Sequence, residues 1–99
     1  MENTIKDPIE IELWLRAHNI SHFEIVDGFK VNVRQNVMLR NHNLKFIPIC
    51  FTEALQDFDV SSNDLKTLKN SPKKVGGCFD CSENQLEDLK YIPESIYEN

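Results

Sequence analysis

FDVSSNDLKTLKNSPKKVGGC, residues 58–78, is followed at once by FDCSENQLEDLKYIPESIYEN, residues 79–99, and these two segments of equal length align without a gap. Phe58 answers to Phe79, Val60 to Cys81, Asn63 to Asn84, Leu65 to Leu86, Leu68 to Leu89, Pro72 to Pro93 and Val75 to Ile96. Carried back once, the same offset gives a fainter copy over residues 37–57. Val37, Leu39, Leu44 and Ile47 hold its apolar positions, and His42 stands where the later copies have asparagine. Self-similarity at a fixed period of this length marks a solenoid, whose units bury their apolar sides only against one another. Within each copy Phe58 and Val60, or Phe79 and Cys81, alternate as strand residues pointing into a core. The chain must then turn sharply, and a buried asparagine side chain can pair with the backbone groups the turn leaves open, so Asn63 and Asn84 are expected to form a ladder. Leu68 and Leu89 with Pro72 and Pro93 fit a short return segment. Gly76-Gly77 is expected to supply the bend into the third strand.

Upstream, the first six residues, MENTIK, carry no pattern and are expected to fray. Asp7-Pro8-Ile9-Glu10 reads as a helix start, with Asp7 as N-cap, Pro8 in the first turn and Glu10 completing a capping box. The helix is predicted over residues 8–18, with Ile9, Leu13, Ala17 and Ile20 on its apolar face and Trp14 beside them, lidding one end of the solenoid. Residues 23–33 alternate as a hairpin around Asp27-Gly28, because both central positions of a type I′ turn need positive φ. This hairpin is expected to continue the sheet on which the repeats stack. The reading is thus one domain, with residues 1–36 as cap and copies at 37–57, 58–78 and 79–99.

The pattern Phe-x-Val-x-x-Asn-x-Leu, or Phe-x-Cys-x-x-Asn-x-Leu, resembles the leucine-rich repeat core, in which a short strand leads to an asparagine and then a leucine. The fold class expected is α/β, a short leucine-rich-repeat-like solenoid with an N-terminal helix and β-hairpin cap. The wider layout is similar to small phage-encoded proteins with short leucine-rich-like repeats, usually of unknown function, most specifically in PKKVGGCFDCSENQLEDL, residues 72–89. That resemblance implies a phage or prophage origin and a binding role. It implies no catalytic residues.

Composition narrows the function classes. At 99 residues, 40% hydrophobic and 27% charged, the chain fits one small folded domain. No apolar run approaches the roughly 20 residues that span a bilayer, and MENTIKD lacks the pattern of a secretory leader, so a cytoplasmic location in a bacterial host cell is expected. The odd number of cysteines, Cys50, Cys78 and Cys81, points to reduced thiols. Cys78-Phe79-Asp80-Cys81 has CxxC spacing, but a redox pair normally opens a helix and this one lies on a strand. A zinc site would need two further ligands, and neither Cys50 with His42 nor His18 with His22 has a matching spacing. His18 and His22 read as surface residues at a helix terminus. No phosphate loop, nucleophile motif or metal motif is present, so neither enzyme activity nor a metal or other cofactor is expected.

The charge layout points to binding. Net charge is −5, which disfavours nucleic acid and anionic membrane and favours a basic protein partner. Outward strand positions put Met38, Asp59 and Asp80 in one row. Asn36, Asp57 and Cys78 flank it on one side, Arg40, Ser61 and Ser82 on the other, with Asn41, Ser62 and Glu83 at the rim. The candidate partner-binding residues are Asp57, Asp59, Asp80, Glu83, Met38 and Arg40. Lys66, Lys69, Lys73 and Lys74 fall on the return segment and should make the outer face basic. The expected function is a non-enzymatic module that binds and inhibits a host protein, such as a CRISPR or restriction effector, through the acidic surface. The alternatives are nucleic-acid binding by the outer lysines and self-assembly, with a homodimer through the C-terminal repeat edge.

Overall fold

The sequence period is realised as a hydrogen-bonded register between successive coils. The computed structural model describes residues 4–98. Its elements run α1 (Pro8–Ala17), β1 (Phe23–Val26), β2 (Lys30–Val33), β3 (Val37–Met38), β4 (Cys50–Ala54), β5 (Phe58–Asp59), β6 (Lys74–Asp80) and β7 (Ser95–Glu98). Apart from the β1–β2 hairpin, every strand pair is parallel. Val33 pairs with Ala54, Ala54 with Val75 and Val75 with Ile96, while Val37 pairs with Phe58 and Phe58 with Phe79. Every step in both series spans one 21-residue period, which makes the chain a β-solenoid of about three turns. Strand β6 serves both series, meeting β4 with its first residues, β5 with its last and β7 from Lys74 to Cys78.

The hairpin continues this stack, because β2 lies parallel to β4. Asp27 and Gly28 both take positive φ, at 53° and 85°. The Val26–Lys30 pair leaves Asp27, Gly28 and Phe29 in the loop, one residue more than a two-residue type I′ turn holds.

Equivalent residues occupy equivalent seats. Val37, Leu39, Phe58, Val60, Leu65 and Leu68 are fully buried, and Val75 nearly so. Their counterparts in the last coil, Phe79, Cys81, Leu86 and Ile96, are half-buried against the same core, the exception being Leu89, the counterpart of Leu68, at 62% exposed. The Phe58 ring stacks on Phe79 at 5.9 Å and 15°, and meets Phe51 edge-on at 5.0 Å. Each such side chain removed from water contributes about 1.5–3 kcal/mol before its ordering entropy is counted.

The turn after each strand explains the asparagines. Asn41, Ser62 and Glu83, each one period from the next, share left-handed φ values of 57°, 54° and 54°, and such a reversal leaves backbone groups unpaired. The Asn63 carboxamide answers them. Its Oδ1 accepts from the N–H groups of His42 (2.9 Å) and Leu44 (3.0 Å) in the preceding coil. Its Nδ2 donates to the carbonyls of Leu39 and Val60, both at 2.9 Å, and Ser61 at 3.1 Å. Asn84 repeats the arrangement one coil on, accepting from Leu65 N–H (2.9 Å) and donating to the Val60 and Cys81 carbonyls, both at 3.0 Å. His42 takes no such part: its ring is exposed, with Nδ1 2.7 Å from its neighbour Arg40's carbonyl oxygen. That first turn carries a second left-handed residue, Asn43.

A second ladder runs along the corner between the two strand series. Asn36 Oδ1 accepts from Asp57 N–H (3.0 Å), and Asp57 Oδ1 accepts from Cys78 N–H (2.8 Å). The glycines are required here for close approach. A Cβ on Gly77 would fall 2.1 Å from Asp57 Oδ1, and one on Gly76 would fall 2.1 Å from the Leu55 carbonyl oxygen. Both sit inside strand β6 with no positive φ, at the corner where its pairing passes from β4 to β5 and its register against β7 shifts.

The N-terminal segment differs from expectation in three respects. First, α1 buries Ile11 and Leu15, while Ile9 and Leu13 are 70% and 65% exposed. Both pairs have a spacing of four, but only Ile11, Trp14, Leu15 and His18 complete an i, i+3, i+4, i+7 stripe. Second, Asp7 caps the helix by accepting from Ile9 N–H (2.9 Å), with no return bond from Glu10 among the described residues. Third, residues 4–6 are tied down: Ile5 N–H donates to the Pro48 carbonyl (2.8 Å) and Thr4 Oγ1 accepts from Asn70 (2.9 Å). Residues 1–3 of the expected frayed segment, and Asn99 of the third copy, lie outside the described residues.

Asn63→Ala removes the partners of buried groups in two coils and is expected to cost about 2–4 kcal/mol, whereas half-buried Asn84→Ala should cost about 1–2 kcal/mol. Urea unfolding of the two variants checks the ranking, and equal midpoints would contradict it.

Candidate functional site

The row expected on the strand face exists. Met38 pairs with Asp59 and Asp59 with Asp80, so the three lie side by side across coils. Met38 is 55% exposed, Arg40 and Glu83 are exposed, and Asp57, Asp59 and Asp80 are half-buried.

Every carboxylate among these residues also has structural work. Asp59 Oδ1 accepts from the N–H (2.9 Å) and hydroxyl of Ser61, and Asp80 Oδ1 accepts from the N–H (3.0 Å) and hydroxyl (2.7 Å) of Ser82. Such Asp-x-Ser turns rigidify the entry to each left-handed corner. Ser61 is accordingly fully buried rather than outward-facing, since its hydroxyl serves Asp59 and its carbonyl serves Asn63. Glu83 accepts from the Ser62 hydroxyl (2.9 Å), and Asp57 holds the Cys78 amide. In each of the four carboxylates the second oxygen accepts no hydrogen bond among the described residues. The chain is therefore left with a rigid set of negative charges, each with one free acceptor oxygen.

Electrostatics follow from these contacts. The Ser82 hydroxyl and N–H hold the Asp80 carboxyl below its ordinary range, with Arg40 adding to the effect and partial burial opposing it. Partial burial pushes the Cys78 thiol up, and the Asp57, Glu98 and Asp80 charges push it further. The Cys81 thiol is raised by burial and by Asp80. Cys50, Cys78 and Cys81 are all free thiols. No group of three or more His, Cys, Asp or Glu side chains suited to a metal occurs among the described residues. His18 is half-buried rather than a plain surface residue: it stacks on Trp14 at 3.8 Å and lies 5.7 Å from the His42 ring.

Charge is unevenly spread along the coil. Residues 79–99 contain six carboxylate side chains and one lysine, so this last copy alone carries the whole net charge of −5. The outer lysines do not form an unbroken basic face. Glu87 N–H donates to the Lys66 carbonyl and Glu94 N–H to the Lys73 carbonyl, and Lys74 pairs in the strand register with Glu53. Acids thus sit beside the lysines one coil away. The last coil also exposes Leu89 (62%), Tyr91 (56%), Ile92 (43%) and Tyr97 (82%). One concavity escaped the sequence reading. It lies between Lys30, Lys69 and Lys73, residues whose approach depends on coil stacking and which share no local motif.

No protein family, curated protein or solved structure compared with the chain matches it. Among the described residues no helix is long and apolar enough to cross a membrane.

Two outcomes are expected. Because the folded Asp80 carboxyl titrates below its unfolded value, its stabilisation is complete above the ordinary carboxylate range and fades as pH falls through the lowered folded value. Asp80→Asn, which keeps an acceptor oxygen for Ser82, should therefore cost up to about 1 kcal/mol at pH 7, and urea melts should show this gap closing at the most acidic pH values. Cys78 and Cys81, protonated and partly covered, should alkylate with iodoacetamide more slowly at neutral pH than the thiol of glutathione.

Proposed function

We propose that this β-solenoid, of the leucine-rich kind, is a non-enzymatic module that binds a protein with a basic surface. The row of Met38, Asp59 and Asp80, flanked by Asp57, Glu83 and Arg40, is the contact face in this reading. The observation that carries it is the rigid alignment of these carboxylates, each with a free acceptor oxygen, beside a coil that holds the entire net charge. A fixed acidic row loses little side-chain entropy on meeting lysine or arginine, and its field steers a basic partner into place. The likeness to small phage proteins suggests a host protein as target, for instance a defence effector such as a CRISPR or restriction component that binding would inhibit. Carboxylates spaced along a row could there stand in for nucleic-acid phosphates in a basic channel.

The test must remove charge and leave the turns intact. Asp59→Asn, Asp80→Asn and Glu83→Gln together keep an acceptor oxygen for Ser61, Ser82 and Ser62 while taking the net charge from −5 to −2. A host protein captured by the parent chain should bind the triple variant at least about tenfold more weakly, with a shallower salt dependence. Unchanged affinity with unchanged circular dichroism would remove the acidic row from the account. A second reading, self-association, draws support from exposed Leu89, Tyr91, Ile92 and Tyr97 and from the position of β7, which pairs with β6 alone. Light scattering across concentration decides it: a concentration-dependent dimer supports that reading and a constant monomer mass excludes it.

A further inference from the structure

We propose that the concavity between strand β2 and the return segments binds a small aromatic phosphate monoester. It has a volume of about 220 Å³ and is bordered by Lys30, Lys69, Lys73, Ser71, Phe51 and Tyr91. Three observations point to a ligand of that chemistry.

The first is the sign of the charge. In a chain of net charge −5 the charged residues bordering this cavity are three lysines, without a carboxylate among them. None of the three is ion-paired among the described residues, where the ion pairs are Arg16–Glu12 and Arg34–Glu24. Three lysines rooted around one small volume make its potential positive, and an anion placed there is attracted by all three. A phosphate dianion offers more charge and more acceptor oxygens for three separate point-like donors than a carboxylate does.

The second is a buried polar atom. Ser71 is 7% exposed, and its Oγ is the buried side-chain oxygen without a hydrogen-bond partner among the described residues. The neighbouring polar groups are already engaged. Thr52 Oγ1 donates to the Val31 carbonyl, and Asn70 Nδ2 donates to Thr4 and to the Ile47 carbonyl. A buried hydroxyl without a partner is costly, by about 1–3 kcal/mol, and calls for a reason. Ser71 borders the cavity with its Oγ closed to solvent, and a turn of its χ1 towards a phosphate oxygen there supplies one.

The third is an aromatic residue in a backbone conformation that does not suit it. Asn70 and Tyr91 hold equivalent positions in successive coils, both left-handed, with φ of 78° and 68°. Asparagine adopts this region readily, whereas tyrosine does so against steric resistance. The substitution gives the cavity a half-exposed ring, next to Cys50 and Phe51, against which a flat apolar body can lie. Residues whose backbone is held in such conformations tend to cluster at binding sites. Lys30 arrives from the hairpin, Lys69 and Lys73 from the second copy, and Tyr91 from the third, so only the stacked chain assembles the group.

The experiment is a titration of the full ¹⁵N-labelled chain with phenyl phosphate, followed by amide chemical shifts, with inorganic phosphate, benzoate and phenol as parallel arms. The expected result is saturable shifts at residues 50–52, 69–73 and 91, with a Kd near or below about 1 mM. Inorganic phosphate and benzoate should each bind at least about tenfold more weakly, and phenol should not saturate. Lys69→Gln with Lys73→Gln should weaken phenyl phosphate at least about tenfold while shifts elsewhere stay put, and Ser71→Ala should weaken it less. The proposal is overturned if these amides show no saturable shift, if shifts spread equally over Lys45, Lys66 and Lys74, if phenol binds as well as phenyl phosphate, or if the double variant binds unchanged.

Discussion

The carboxamide of Asn63 is the constraint on which the stack depends. A left-handed corner at Ser62 turns the chain out of one strand and leaves carbonyls and amides facing the interior of the coil. One side chain, 5% exposed, accepts from two amides of the preceding coil and donates to three carbonyls, one of them also in that coil. Buried backbone groups without partners would cost several kcal/mol together, comparable with the whole stability of a domain this small. The asparagine therefore sets the register as well as the turn. Once His42 and Leu44 are held by Asn63, and Leu65 by Asn84, the apolar seats of neighbouring coils coincide and Phe58 can stack on Phe79.

A second fixed distance acts at the opposite corner. Asn36 and Asp57 each reach one coil forward to a backbone amide, and Asp57 can do so because position 77 has no Cβ. The acidic residues of this protein are thus part of its frame, through Asp57 at the corner and Asp59 and Asp80 at the turns. The same bonds that occupy one carboxylate oxygen fix the direction of the other. That connects the repeat to its proposed use: a surface whose charges are immobilised by the fold presents the same pattern to every partner, and recognition then turns on complementarity of charge and spacing.

How much of this the sequence disclosed depends on whether a residue's role is local. Asn63 and Asn84, Phe58 and Phe79, Leu65 and Leu86 were legible because identical residues recur at one offset and perform identical tasks. The continuation of the Val75–Ile96 stack back to Ala54 and Val33 was not, since small apolar residues at the same offset leave no motif. The helix was placed correctly from Asp7-Pro8, but its buried face was misread: Ile9 and Leu13 have the same spacing as Ile11 and Leu15, and Trp14 and His18 decide between them only as a stripe. The row of Met38, Asp59 and Asp80 could be read from strand alternation. The burial of Ser61 could have been anticipated from the repeated Asp-x-Ser, which signals an acceptor folded back on its own turn. The grouping of Lys30, Lys69, Lys73 and Tyr91 had no signal in the sequence, because it is made by three segments that only stacking brings together.

The central claim is that residues one period apart are direct neighbours through the stack. Nuclear Overhauser contacts in the folded chain test it most directly. The account predicts cross-strand contacts linking Val33 to Ala54, Ala54 to Val75 and Val75 to Ile96, and the Phe58 ring to Phe79. Cross-strand backbone contacts that pair these residues in another register, or their absence from a well-dispersed spectrum, would contradict it.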